Sequence, residues 1–73
     1  MKKVTFENNE YLLLQDAFLS DDGMHYLAPA KKGEKFYMVV WDTTEEWNNL
    51  SAEDKTDESL ACDWDNPVEV NPV

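Results

Sequence analysis

Three turn signals cut the first half of the chain into four apolar runs: Val4–Phe6, Tyr11–Ser20, Met24–Ala30 and Lys35–Asp42. The signals are Asn8-Asn9, Asp22-Gly23 and Lys32-Gly33. Each suits a two-residue hairpin loop, because Asn and Gly tolerate positive φ. Loops this short join antiparallel neighbours, so the expected architecture is a four-stranded antiparallel meander. The last run, from Lys35 to Trp41, is rich in aromatic and β-branched residues and reads as a strand by itself.

Centring the loops on these pairs sets Phe6 beside Tyr11, Leu19 beside Tyr26 and Ala28 beside Tyr37. One face then carries Val4, Phe6, Tyr11, Leu13, Ala17, Leu19, Met24, Tyr26, Ala28, Tyr37, Val39 and Trp41, with Gln15 the only interruption. A slip of one residue would exchange the faces, so the separation argues for the register. The same pairing sets Lys31 beside Glu34, opposite charges across a hairpin end. Two features resist it. Pro29 has no N–H for the ladder, so strand three is expected to end or bulge there. Tyr11, Leu14 and Phe18 also fall at helical spacing, and a helix there would make the fold α+β.

The second half, residues 43–73, is polar with sparse anchors at Trp47, Leu50, Leu60, Trp64, Val68 and Val70. Thr43-Thr44-Glu45-Glu46 has the form of a capping box, which predicts a short helix over Glu45–Leu50. Asp57–Cys62 predicts another helical turn, and Val68-Glu69-Val70 alternates like a short edge strand. With 73 residues there is room for one core, so residues 1–73 read as one domain: a meander over 1–42 and a wrap over 43–73.

Charge is distributed unevenly between these halves. Thr43–Val73 has nine acids against Lys55, a net of −8; Met1–Asp42 has seven acids against five lysines, a net of −2; together they give −10. Such a balance repels phosphate backbones and anionic lipid, so neither direct nucleic-acid binding nor membrane-surface binding is expected. The absence of arginine removes the usual two-pronged grip on phosphate. No apolar run approaches the ~18–20 residues that span a bilayer. The start, from Met1 to Glu7, carries positive charge without a following apolar stretch, so no signal peptide is expected. The lone Cys62 excludes an internal disulfide framework and fits a reducing, cytoplasmic setting.

Catalytic constellations are thin. Cys62 and His25 form the one Cys–His combination, and nothing in the spacing brings them together. Ser20 falls beside His25 in the proposed pairing, yet no Gly-x-Ser-x-Gly elbow accompanies it. A domain this small is expected to lack the ~300 Å³ pocket that chemistry on a small molecule needs. The expectation is a protein that is not an enzyme and has no cofactor. Asp63-Trp64-Asp65-Asn66 spaces oxygen ligands like the start of a calcium loop, but Val68 stands where an EF-hand needs Gly, so no metal site is assigned. A looser cation or small-ligand site using Asp63, Asp65 and the Asn66 carbonyl is the alternative reading.

The run Asp57-Glu58-Ser59-Leu60-Ala61-Cys62-Asp63-Trp64-Asp65-Asn66-Pro67-Val68 resembles the ending of small uncharacterised acidic bacterial and phage proteins. It covers about a sixth of the chain and brings no activity and no site residues with it. The resemblance implies a bacterial or mobile-element setting, where short acidic proteins act as inhibitors. The expectation is therefore a monomeric binding protein whose acidic face meets a basic protein surface, with mimicry of nucleic acid as its sharpest form. The residues expected to carry binding are Glu45, Glu46, Glu53, Asp54, Asp57, Glu58, Asp63 and Asp65. The plainer reading makes this acidity a solvated face that serves solubility alone.

Overall fold

The computed structural model describes residues 2–73; Met1, the first residue of the charged start, lies outside them. Six antiparallel strands form one sheet: β1 (Lys3–Phe6), β2 (Asn9–Leu13), β3 (Phe18–Leu19), β4 (His25–Lys32), β5 (Lys35–Asp42) and β6 (Glu69–Pro72). Their order is β1-β2-β4-β5-β6, with β3 also on β4. Helical structure is confined to α1 (Glu45–Asn48) and a 3-10 turn at Glu58–Leu60. Strands take 46% of the chain and helical turns 10%, which settles the mainly β class over the α+β version.

The meander is present, with two of its three registers displaced. Phe6 pairs with Asn9 rather than Tyr11, and Ala28 with Val39 rather than Tyr37; Leu19 pairs with Tyr26 as expected. The first loop is Glu7-Asn8, both at positive φ (50° and 67°), the requirement of a type I′ turn. The last loop opens on Gly33 at φ 63°, the place a type II′ turn reserves for glycine. Each loop thus sits one residue from its expected centre, which moves pairing by two. A shift of two keeps every side chain on its face, so the core face survives the error. The hairpin end does not: Lys31 faces Phe36, and Lys32 directly faces Lys35.

Pro29 does not end its strand. β4 runs through it to Lys32, and the disruption falls on the neighbouring chain. Leu13 pairs with Ala30 and Phe18 with Leu27, so residues 14–17 stand opposite Ala28 and Pro29 alone. Pro29 turns its carbonyl to this side, accepting from the Leu14 N–H at 2.8 Å. The missing proline N–H therefore meets a bulge instead of an orphaned acceptor. The run Tyr11–Ser20 is neither one strand nor a helix.

Val4, Tyr11, Tyr26, Ala28, Ala30, Val39 and Trp41 bury one face of the sheet, and Trp47, Ala61 and Cys62 from the second half complete the core. Leu19 and Met24, expected there, are 49% and 62% exposed, because β3 is too short to carry the core beyond Tyr26. The opposite face has its own apolar rows: Phe18–Leu27–Val40, Pro29–Met38, and Leu12 and Phe36 on either side of Lys31. Val40 alone of these is buried, where Val68 donates to its carbonyl at 2.9 Å beside the buried Pro67.

The wrap is held mainly by small and aromatic groups. Leu50, Leu60 and Val68 are 37%, 64% and 48% exposed, so the anchors are Trp47, Ala61, Cys62, Trp64 and Val70. Thr44, not Thr43, caps α1: its hydroxyl accepts from the Trp47 N–H at 3.1 Å. Thr43 is taken up by a bridge to Cys62 that continues the β5 edge. α1 is accordingly shorter than Glu45–Leu50. The edge strand also begins one residue late, at Glu69, and extends to Pro72 against β5.

Candidate functional site

All eight acids expected to carry binding are exposed. Glu45 and Glu46 stand in the first turn of α1, where free N–H groups favour negative charge. Asp54 accepts from the Ser51 hydroxyl at 3.0 Å, and Asp63 from the Asn66 side-chain amide at 2.8 Å. Asp57 caps the 3-10 turn, accepting from Ser59 Oγ at 2.6 Å and Ser59 N at 3.1 Å, and these bonds lower its pKa. Glu58 accepts the Tyr26 hydroxyl at 2.8 Å. Among the described residues neither Glu53 nor Asp65 has a side-chain hydrogen bond or ion pair. Lys3–Glu10, at 3.2 Å, is the one lysine–carboxylate pair there. Lys55, the sole base of the segment, lies 6.0 Å over the Trp47 ring. Among the described residues no lysine pairs with any of these eight acids.

Its scaffold is ordered by aromatic packing. Trp64 meets Tyr26 and Trp41 edge-to-face at 5.4 Å and 5.2 Å between centroids. Its indole donates to the Ser59 carbonyl at 3.0 Å, and its own carbonyl accepts from the Trp41 indole at 3.1 Å. Thr44 N donates to the Ala61 carbonyl at 2.8 Å, tying the two ends of the loop over residues 45–60.

Between this segment and the β2–β3 bulge lies an open cleft of about 320 Å³, lined by Lys2, Asp16, Ala17, Tyr26, Glu58, Ser59 and Trp64. A neighbouring hollow of about 330 Å³ shares Lys2 and Asp16 with it. The chain is thus not too small for a cleft of ligand size, contrary to the expectation from length. Of the eight expected residues only Glu58 lines it. Asp16, Tyr26 and Trp64 are not legible as a site in the sequence, because the bulge that brings Asp16 to this cleft has no sequence signal beyond Pro29. Burial first, and Glu58 second, push the Tyr26 phenol up to about 12.

The catalytic pairs weighed from sequence are not formed. The Ser20 hydroxyl donates to Asp22, not to His25. His25 is held between carboxylates, with Nδ1 3.1 Å from Asp22 and Nε2 3.0 Å from Asp42, so neither ring nitrogen is free to act on Ser20. Hydrogen bonds from Ser20 and the Met24 N–H, with smaller help from His25, hold Asp22 down to about 2. Cys62 is buried, and desolvation, reinforced by Asp42, pushes its thiol up to about 11, the opposite of an activated nucleophile. Asn66 donates its side-chain amide to Asp63 at 2.8 Å. Among the described residues no three His, Cys, Asp or Glu side chains converge as a metal site. No helix among them is long and apolar enough to cross a membrane. Comparison with protein-family models, with curated proteins and with solved structures finds no match.

Proposed function

We propose that this is a non-enzymatic, cytoplasmic binding protein whose acidic wrap docks on a basic surface of a partner protein, an inhibitor that occupies a groove built for nucleic acid. One observation carries this reading: Glu45, Glu46, Glu53, Asp54, Asp57, Glu58, Asp63 and Asp65 are exposed on a segment pinned to the sheet, and no lysine pairs with any of them among the described residues. An ordered array of carboxylates presents its charge at a lower ordering cost on binding than a disordered acidic tail, because the backbone is already fixed.

The test is capture of proteins from the source cell on the immobilised chain and on a Glu53→Lys, Asp65→Lys double variant. Among the described residues those two acids make no side-chain hydrogen bond or ion pair, whereas Asp57 and Glu58 cap a turn and bond Tyr26, so reversing the latter pair would disturb the fold. Basic proteins should bind the natural chain at low salt, survive nuclease treatment, elute at high salt and be lost with the variant. Equal capture by both chains would end this reading.

The cleft favours a second reading, in which a small basic ligand sits between Asp16 and Glu58 against the Tyr26–Trp64 wall. Titration with agmatine and with arginine, followed by indole NMR shifts, distinguishes it. Unmoved Trp64 and Trp41 signals at millimolar ligand would dismiss it.

A further inference from the structure

We propose that the second face of the sheet binds another copy of this chain, face to face, closing a two-sheet sandwich around Phe18, Leu27, Pro29 and Met38. Both helical turns lie over the first face, α1 through buried Trp47 and the 3-10 turn through the Glu58–Tyr26 hydrogen bond. The second face is left as an apolar surface in which Phe18 and Phe36 are 42% and 55% exposed. An apolar patch in the middle of a sheet face is stabilised when another layer covers it.

The size fits an equal partner. The two central strands have eight residues each and the outer ones two to five, so 31 strand residues at ~4.8 by ~3.3 Å each give roughly 490 Å² in projection. The accessible area of a pleated surface exceeds its projection, which brings it to the ~600 Å² per partner at the low end of specific interfaces. Packing aligned sheets in this way is the geometry of β-sandwiches.

Charge selects a second copy over the basic partner of the wrap. The strands place Lys3 and Lys31 on this face against Glu10, Asp42 and Glu69: two minus three, a net of −1 out of −10. Lys3 and Glu10 already pair, and Asp42 already binds His25. In the sandwich the two wraps lie outermost, about three layer spacings of ~10 Å apart, well beyond the Debye length of ~8 Å at physiological salt. The monomer expected from net charge counts acids that this face does not carry.

Sedimentation equilibrium of the full chain over a wide concentration range is the test. The expected result is a monomer–dimer equilibrium between 8.5 kDa and twice that mass, tightening as sodium chloride rises, the reverse of the salt response of the basic complex. Leu27→Lys and Phe36→Lys should each raise the dimer dissociation constant about tenfold or more. Phe36 is more than half exposed, so its variant keeps the fold, to be checked by far-UV circular dichroism, even if Leu27→Lys does not. Glu53→Lys, on the wrap, should leave the dimer in place. A chain monomeric at every concentration overturns the proposal, as does a dimer unchanged by Phe36→Lys or growth beyond two copies.

Discussion

Trp64 and Trp41 meet edge-to-face with centroids 5.2 Å apart, and the Trp64 carbonyl accepts the Trp41 indole proton at 3.1 Å. One residue of the polar half thereby satisfies the indole N–H of a fully buried side chain of the sheet. Trp41 is 1% exposed, and an unpaired indole there would carry a desolvation cost. The wrap is therefore part of what makes the core possible.

Trp64→Ala should cost about 3 kcal/mol, since both aromatic contacts and the Ser59 hydrogen bond go with it. A domain of this size has ~3–5 kcal/mol in all, so the variant should be largely unfolded in mild urea. Trp64→Phe should recover more than half of the loss. Urea titration followed by fluorescence measures both. A loss under ~1 kcal/mol for the alanine variant would mean that Trp47, Ala61 and Cys62 hold the wrap alone.

Lys35→Glu should stabilise the protein by about 0.5 kcal/mol, a rise in Tm of roughly 2–4 °C. Lys35 lies directly across from Lys32, and like charges so placed repel. Lys32 already hydrogen-bonds Asn9 and sits 6.0 Å over the Tyr11 ring, so Lys35 is the partner to change. In the register expected from sequence, Lys35 lies away from Lys32, and the substitution would be neutral. The melt thus tests the register itself.

That register shows how the sequence could mislead about pairing and still be right about faces. Asn8-Asn9 and Lys32-Gly33 mark where positive φ is available, but Asn8 takes the second loop position and Gly33 the first. Turn chemistry fixes which residue is left-handed, not which end of the loop it occupies. The exposure of the acids in the second half was legible because charge and exposure go together. The cleft was not, because Asp16 and Glu58 come together only through a bulge across from Pro29 and a wrap anchored by Trp64. Leu60 misled for the same reason: small Ala61 and Cys62 fit beneath the loop where a larger side chain is turned outward.

Stability should fall as pH rises from about 9 to 12. The folded state holds the Cys62 proton up to about 11 against an ordinary 9.0, and the Tyr26 proton up to about 12 against 10.0. In each window the unfolded chain has already released its proton while the folded chain keeps it, so rising pH favours unfolding. The contribution is complete below the unfolded values and gone above the folded ones. Cys62→Ala should remove the lower part of the decline and Tyr26→Phe the upper part. Denaturant midpoints at closely spaced alkaline pH values give the profile, and a flat curve through pH 11 would contradict the burial of both groups.

Moderate salt should raise the Tm of the monomer. With a net charge of −10 and one lysine–carboxylate pair among the described residues, most of the acids feel one another without compensation. Folding gathers them into an extent of 40 × 22 × 19 Å, where neighbours fall within a few Debye lengths. Screening relieves that repulsion in the compact state more than in the expanded chain. The melt belongs at low protein concentration, so that self-association does not contribute, and in sodium chloride, since sulfate strengthens apolar burial in any protein. A Glu53→Gln, Asp65→Asn variant should melt higher at low salt and respond less to added salt, because it removes two unpaired charges and no internal bond. If natural chain and variant show the same slope, the acids of the wrap are too dispersed to repel, and the same dispersion would weaken their grip on a basic surface.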